Sequence, residues 1–133
     1  MVEILLVEDD EGDIFMLREI LVNASFDANL HIAHDGEEAL EFLRNQAMPK
    51  IDFIISDINM PRMNGHEFLE EIGKDALFKK IPVAVLTNSH EAEDFVKTWD
   101  LNAAICLSKP LTQGKITEIV QSVEFFWRQN SVA

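Results

Sequence analysis

The sequence predicts an α/β fold, with helices on both faces of a doubly wound parallel sheet, in one domain that spans residues 1–133. Short apolar runs alternate five times with amphipathic segments, without an internal repeat or a low-complexity linker, which is the pattern of successive βα units. The runs at 4–7, 53–55, 83–86 and 104–107 are almost continuously apolar, as expected for central parallel strands covered on both faces. A chain of this length can bury a continuous core without disulfides.

The first half of the chain predicts three strands and two helices. Apolar residues three and four positions apart give the first helix one inward face, and Asp35 is suited to cap the second helix. The second strand alternates in polarity and contains His31 and His34, so it suits an exposed edge of the sheet. In chain order these elements are a strand at 4–7, a helix at 11–23, a strand at 30–34, a helix at 37–45 and a strand at 51–56.

The second half continues the alternation. A turn segment at 59–65 contains Pro61 and Gly65, residue types that favour turns, and Pro82 immediately precedes the next strand. The predicted elements are a helix at 66–74, a strand at 83–86, a helix at 91–100, a strand at 103–107 and a closing helix at 113–128.

Composition excludes several classes of partner and location. The formal net charge is −13, from 24 acidic residues against 11 Lys and Arg, which disfavours binding to nucleic-acid backbones and to anionic lipids. No apolar stretch approaches the roughly 18 residues that a membrane span needs, and the start of the chain does not resemble a secretory signal. The one cysteine, Cys106, fits a reducing cytoplasm. We therefore expect a stand-alone cytoplasmic module.

Polar residues follow four of the predicted strands. In an open parallel sheet the functional groups collect beyond the carboxyl ends of the strands, so three acids, a hydroxyl and an ammonium are expected in one crevice. Carboxylate oxygens match Mg²⁺, which binds a few carboxylates together with phosphate oxygens, and a carboxylate can act as a nucleophile toward phosphorus. The sequence therefore predicts a site for a divalent cation and a phosphoryl group, formed by Glu8, Asp9, Asp57, Thr87 and Lys109.

Each of these residues also has a plainer interpretation when it is considered alone. Acids in the first turn of a helix complement its dipole, which is how we interpret Asp10, Glu11 and Asp13. Asp57 could cap a loop, and Thr87 could simply end a strand as a β-branched residue. The convergence of the acids favours a functional site. Like charges about 4 Å apart repel by roughly 4 kcal/mol at an effective dielectric constant of 20, so three carboxylates in one crevice would be costly without Mg²⁺ or Lys109 to compensate them.

In this order and spacing the residues resemble the receiver domain of two-component response regulators, over essentially the whole chain. The segment at 56–65 strongly resembles the phosphoacceptor loop of that family. The resemblance implies a flavodoxin-like, CheY-like (βα)5 sheet with strand order 2-1-3-4-5. It also implies these roles: Asp57 as phosphoacceptor, Glu8 and Asp9 as the acidic pair for Mg²⁺, Asn59 as a metal ligand through its backbone carbonyl, Thr87 as the switch hydroxyl and Lys109 as a contact of the phosphoryl group.

The implied partner is a sensor histidine kinase, and the chain would catalyse only its own phosphorylation and dephosphorylation. Its carboxyl-terminal part is similar to small regulators that pair with bacterial phytochrome-type kinases. Output would pass through protein contact or onward phosphorelay. Phe125 lies off the inward stripe of the last predicted helix, where it is either an incidental surface residue or a contact for a homodimer or for the kinase.

Two residues depart from the family pattern. Cys106 occupies a position where Tyr or Phe is usual, and Asn88 stands where a smaller residue is common. We therefore expect switching to operate mainly through Thr87 and the loop at 88–90. A small phosphohydrolase is disfavoured because Asn59 stands where such enzymes carry a second Asp, whereas a receiver that binds partners without phosphorylation stays open.

Overall fold

A computed structural model of the chain describes residues 2–23, 28–57, 65–87 and 105–108, together with Gly114. The strands are β1 (Val2–Val7), β2 (Ala28–Ala33), β3 (Phe53–Asp57), β4 (Val83–Thr87) and β5 (Ile105–Ser108). The helices are α1 (Glu11–Asn23), α2 (Gly36–Arg44) and α3 (Gly65–Gly73), and a 3-10 helix spans Phe78–Lys80. All adjacent strands pair in parallel, in the order β2-β1-β3-β4-β5. The predicted fold class and strand order are confirmed.

Alternation along the strands divides the core between the two faces of the sheet. In β1, Leu5 and Val7 belong to the cluster that includes buried residues of α2 and α3. Ile4 and Leu6 belong to the opposite cluster, which is covered by α1. The inward face predicted for α1 is confirmed, since its three apolar residues are all buried: Ile14, Leu17 and Leu21. Helices therefore hold the sheet from both sides, as a doubly wound fold requires.

The edge position of β2 is also confirmed. Its residues are mostly half-buried, whereas all five residues of β3 are buried. The predicted cap of α2 is present, because the Asp35 side chain accepts a hydrogen bond from the Glu38 backbone N–H at 2.9 Å.

Strand β3 begins two residues later than the sequence predicts, and it ends at Asp57 instead of Ser56. Asp52 explains the late start. Its side chain accepts a hydrogen bond from the Glu3 backbone N–H at 2.9 Å, and its own N–H donates to the Glu3 carbonyl at 2.8 Å. A side chain thus replaces one ladder bond, and regular pairing starts at Ile4 with Phe53.

The 3-10 helix at Phe78–Lys80 was not predicted. It is nucleated by Asp75, whose side chain accepts hydrogen bonds from the N–H groups of Leu77 and Phe78 at 2.8 and 3.2 Å. The helices predicted at 91–100 and 113–128, with Phe125, lie outside the described residues apart from Gly114. In the part of the chain that is described, no helix is long and apolar enough to cross a membrane.

Candidate functional site at the carboxyl edge of the sheet

Strand register brings the predicted acids together. Val7 pairs with Ser56 where β1 lies beside β3, so the residues that follow each of them, Glu8 and Asp57, are neighbours. One carboxylate oxygen from each of Glu8, Asp9 and Asp57 lies within 4.8 Å of the others. These three predicted site residues therefore form one acidic pocket at the carboxyl edge of the sheet.

Burial differs among the three acids. Glu8 is 1% exposed and Asp57 is 5% exposed, whereas Asp9 faces solvent. The Glu8 backbone N–H donates to the Ala33 carbonyl at 2.9 Å, which ties the end of β1 to the end of β2. Beside Asp57, the buried Ser56 hydroxyl donates to the Asp57 backbone carbonyl at 2.9 Å. Backbone hydrogen bonds thus fix the positions of the two buried acids, Glu8 and Asp57, whereas Asp9 lies on the side of the pocket that faces solvent.

Asp10 serves the helix instead of the pocket. Its side chain accepts hydrogen bonds from the N–H groups of Gly12 and Asp13 at 2.7 and 3.2 Å, so it caps α1. A Cβ at Gly12 would lie 3.0 Å from the Asp10 Oδ1 atom, and glycine therefore accommodates the tight cap. The sequence predicted that Asp10 stabilises the start of the helix through its charge, and in the structure Asp10 also caps the helix by hydrogen bonds.

The pocket suits a divalent cation on the chemistry of its donors. Hard carboxylate oxygens are the ligands that Mg²⁺ and similar ions prefer, and an exposed side leaves positions for water or phosphate oxygens. Two carboxylate charges at the upper limit of this spacing, 4.8 Å, repel by roughly 3 to 4 kcal/mol at an effective dielectric constant of 20. A cation relieves this repulsion, so the residues present fit the expected metal.

A histidine lies at the rim of this edge. His34 Nε2 is 3.5 Å from a Glu11 oxygen, and its Nδ1 is 3.2 Å from a Glu38 oxygen. The hydrogen bond to Glu38 raises the pKa of His34, the charges of Glu38 and Glu11 add to this effect, and partial burial opposes it. The sequence marked His34 only as an edge residue. His34 precedes the cap residue of α2, so helical periodicity could not predict its contact with Glu38.

The remaining predicted site residues are described in part or not at all. Thr87 is the last residue of β4, and its backbone pairs with Ser108, the residue before Lys109. Leu86 pairs with Asp57, so the Thr87 position belongs to the same edge of the sheet as the acidic pocket. Asn59, Asn88 and Lys109 lie outside the described residues.

Comparison with known proteins identifies the family. The family model of the response regulator receiver domain matches residues 4–121. Response regulator Rcp1 of Synechocystis sp. is 36% identical over 128 residues, which cover 93% of this chain and 87% of the relative. A solved Mn²⁺-bound form of Rcp1 is 35% identical with a TM-score of 0.77, and the match covers 96% of this chain and 94% of that one.

Phytochrome-associated regulators have similar structures. The bacteriophytochrome response regulator RtBRR has a TM-score of 0.84 and 28% identity, over 96% of this chain and 81% of that one. The phosphorylated cyanobacterial phytochrome response regulator RcpA has a TM-score of 0.76 and 32% identity, over 99% and 96% of the two chains. With the matching sheet order and acidic pocket, these findings show that the chain belongs to the response regulator receiver domain family of two-component signalling.

Proposed function

We propose that this chain is a single-domain response regulator in which Asp57 accepts a phosphoryl group from a histidine kinase in the presence of Mg²⁺. The observation that carries the proposal is the meeting of Glu8, Asp9 and Asp57 at the carboxyl ends of two adjacent strands. Two relatives support it through their chemistry, since RcpA is known in a phosphorylated form and Rcp1 in a Mn²⁺-bound form.

The acidic side chains divide the work of binding. Glu8, Asp9 and Asp57 would hold the cation, and Asn59 would contribute its backbone carbonyl. When bound, the cation neutralises negative charge on the phosphoryl oxygens. Glu8 is buried, and its backbone N–H is bonded to the Ala33 carbonyl at the end of β2, whereas Asp9 is exposed, so Asp9 would be the ligand most accessible to an arriving cation.

Asp57 is the nucleophile. An Asp57 carboxylate oxygen attacks the phosphorus of the kinase's phosphohistidine, the P–N bond breaks, and its electron pair returns to the imidazole nitrogen. The Lys109 ammonium and the Thr87 hydroxyl contact the phosphoryl oxygens and stabilise their charge. Attack of water on the same phosphorus later breaks the P–O bond to Asp57, which releases phosphate and regenerates the Asp57 carboxylate. The chain thus catalyses only its own phosphorylation and dephosphorylation, and it has no outside substrate.

The partners follow from the relatives and the charge. The likeness to RtBRR and RcpA, both named as phytochrome response regulators, supports a phytochrome-type histidine kinase as the donor. Output passes through protein contact or onward phosphorelay, and the Phe125 region is a candidate surface for a homodimer. The net charge of −13 opposes contact with nucleic acid or anionic membranes, and the single cysteine suits the cytoplasm.

The test is intact-mass measurement after incubation with acetyl phosphate and Mg²⁺. We expect one added phosphoryl group on the wild type, and none on Asp57→Asn or after chelation of the cation. Asp10→Asn is a matched control, because it removes a neighbouring charge while Asn still caps a helix well, and it should accept the phosphoryl group. An unmodified wild type, also with candidate kinases as donors, or an adduct that persists on Asp57→Asn, would overturn the proposal.

A further inference from the structure

The amino edge of the sheet carries a groove with a volume of about 590 Å³. It lies at the opposite end of β3 from Asp57, between the segments that lead into β3 and β4. Its apolar walls include Leu43, Ile51, Phe78 and Ile81. Volumes of roughly 300 to 1,000 Å³ with mainly apolar walls and a few polar groups are typical of small-molecule sites.

Hydrogen-bonded turns shape both walls in advance. On one side, the Asn45 side chain accepts from the Ala47 N–H at 3.0 Å, and the Asn45 carbonyl accepts from the Met48 N–H at 3.0 Å. On the other side, Asp75 nucleates the 3-10 helix, which the Ile81 N–H closes onto the Phe78 carbonyl at 3.0 Å. A preformed site spends less binding free energy on ordering its own walls.

The charge at the groove is opposite to that of the whole chain. Lys50 and Lys80 line it, and no salt bridge joins either lysine to a carboxylate within the described ranges. The one lining acid, Asp52, is bonded to the Glu3 backbone N–H at 2.9 Å. Two lysines thus line a mainly apolar groove on a chain of net charge −13.

Exposed apolar side chains extend the groove. Leu77 is 74% exposed and Met48 is 37% exposed, and both line it. Large exposed apolar side chains that cluster at a concave site, with polar groups at its rim, mark a binding surface more strongly than scattered ones do.

We propose that the amino-edge groove binds a small amphiphilic carboxylate, with its apolar body against Leu43, Phe78 and Ile81 and its carboxylate at Lys50 and Lys80. The apolar walls and the two lysines specify this chemistry together. The proposal does not depend on phosphotransfer at Asp57, because the two sites lie at opposite edges of the sheet.

The test is a titration of the ¹⁵N-labelled full chain with 2-naphthoate, followed by amide chemical shifts in the presence of a chelator. The neutral isostere 2-naphthamide is the ligand control. We expect saturable shifts confined to residues 43–52 and 77–82, and binding of 2-naphthamide weaker by about tenfold, as for loss of one charged hydrogen bond. The double variant Lys50→Gln/Lys80→Gln should lower the affinity for 2-naphthoate by a similar factor.

Two further variants distinguish binding in the groove from non-specific binding elsewhere on the surface. Leu77→Gln changes an exposed side chain of the groove and should weaken the binding of 2-naphthoate, whereas Arg18→Gln, at an exposed position of α1, should leave the affinity unchanged. The proposal would be overturned if 2-naphthoate and 2-naphthamide bound with equal affinity, or if Leu77→Gln and Arg18→Gln lost affinity for 2-naphthoate equally. It would also be overturned if the amide signals of the groove showed no saturable shift.

Discussion

Glu3 and Glu8 lie near opposite ends of β1 in contrasting surroundings. The Glu3 carboxylate accepts a hydrogen bond from the Asn29 side chain at 3.0 Å and contacts the His31 ring. The Glu8 carboxylate instead lies within 4.8 Å of carboxylate oxygens of Asp9 and Asp57. Glu3 thus lies among side-chain donors of β2, whereas Glu8, which follows the strand, accepts a hydrogen bond from the Asp10 backbone N–H at 3.3 Å and also faces two other carboxylates. The partners, more than the residue, decide whether an acid stabilises the fold or prepares a binding site.

The contrast has an energetic consequence. Hydrogen bonds from Asn29 and His31 lower the pKa of Glu3, and the first is the larger cause, because donors stabilise the charged form of a carboxylate. Carboxylates that face each other repel, and a bound cation relieves that repulsion. The amino end therefore contributes to folding without a ligand, whereas the carboxyl end gains from a bound cation.

The largest expected effect is stabilisation by Mg²⁺ through the acidic pocket. At a free concentration of 100 times the dissociation constant, a ligand that binds only the folded state raises the free energy of unfolding by about 2.7 kcal/mol. Asp9→Asn should lose most of that increment, and its exposed position leaves the core intact. Urea denaturation with Mg²⁺ and with EDTA measures both quantities.

Glu3→Gln is the control for this comparison, because it removes a carboxylate at the other end of the same strand. It should keep the full increment from Mg²⁺. If Asp9→Asn gains as much stability from Mg²⁺ as the wild type does, the acidic pocket does not hold the cation.

A smaller effect is expected at Glu3 itself, and it depends on pH. Because the pKa of Glu3 is lowered in the folded state, its stabilisation is present above the unfolded pKa and is lost as pH falls through the folded value. Glu3→Gln should therefore lower the thermal midpoint near neutral pH and match the wild type in acid. Glu70→Gln, at an exposed position of α3, should show no such convergence. If Glu3→Gln lowered the thermal midpoint by the same amount at every pH, the stabilisation would not come from the charged form of the Glu3 carboxylate.

The sequence predicts the fold and the acidic pocket well for one physical reason. Continuous apolar runs such as those at 4–7 and 53–55 are typical of strands buried on both faces, and in such a sheet the residues after the strands share an edge. Glu8 and Asp57 could therefore be placed at the same edge of the sheet before any coordinates, but not as direct neighbours. The strand order came from the family resemblance, since hydrophobic periodicity carries no information about which strands are neighbours.

Features that depend on single side chains could not be predicted in the same way. The late start of β3 depends on Asp52 bonding to the Glu3 backbone, and the unpredicted 3-10 helix depends on Asp75. Asp and Asn bond to nearby backbone groups in many loop conformations, so their presence does not specify which bond forms. The groove at the amino edge is a further case, because its walls come from two segments about thirty residues apart.

The smallest predicted effect concerns His34, which bridges Glu11 at the start of α1 and Glu38 in α2. The pKa of His34 is raised, mainly by the hydrogen bond to Glu38, so its stabilisation is full below the unfolded pKa and is lost as pH rises through the folded value. Exposed ion pairs contribute about 0.2 to 1 kcal/mol to stability. His34→Gln should therefore lower the free energy of unfolding by no more than about 1 kcal/mol at about pH 6, and it should leave that free energy unchanged at alkaline pH. Urea denaturation across pH measures the difference, and Glu38→Gln should lower the NMR-detected pKa of His34. A His34 pKa that Glu38→Gln leaves unaltered would show that the bridge to α2 does not set the charge of this rim residue.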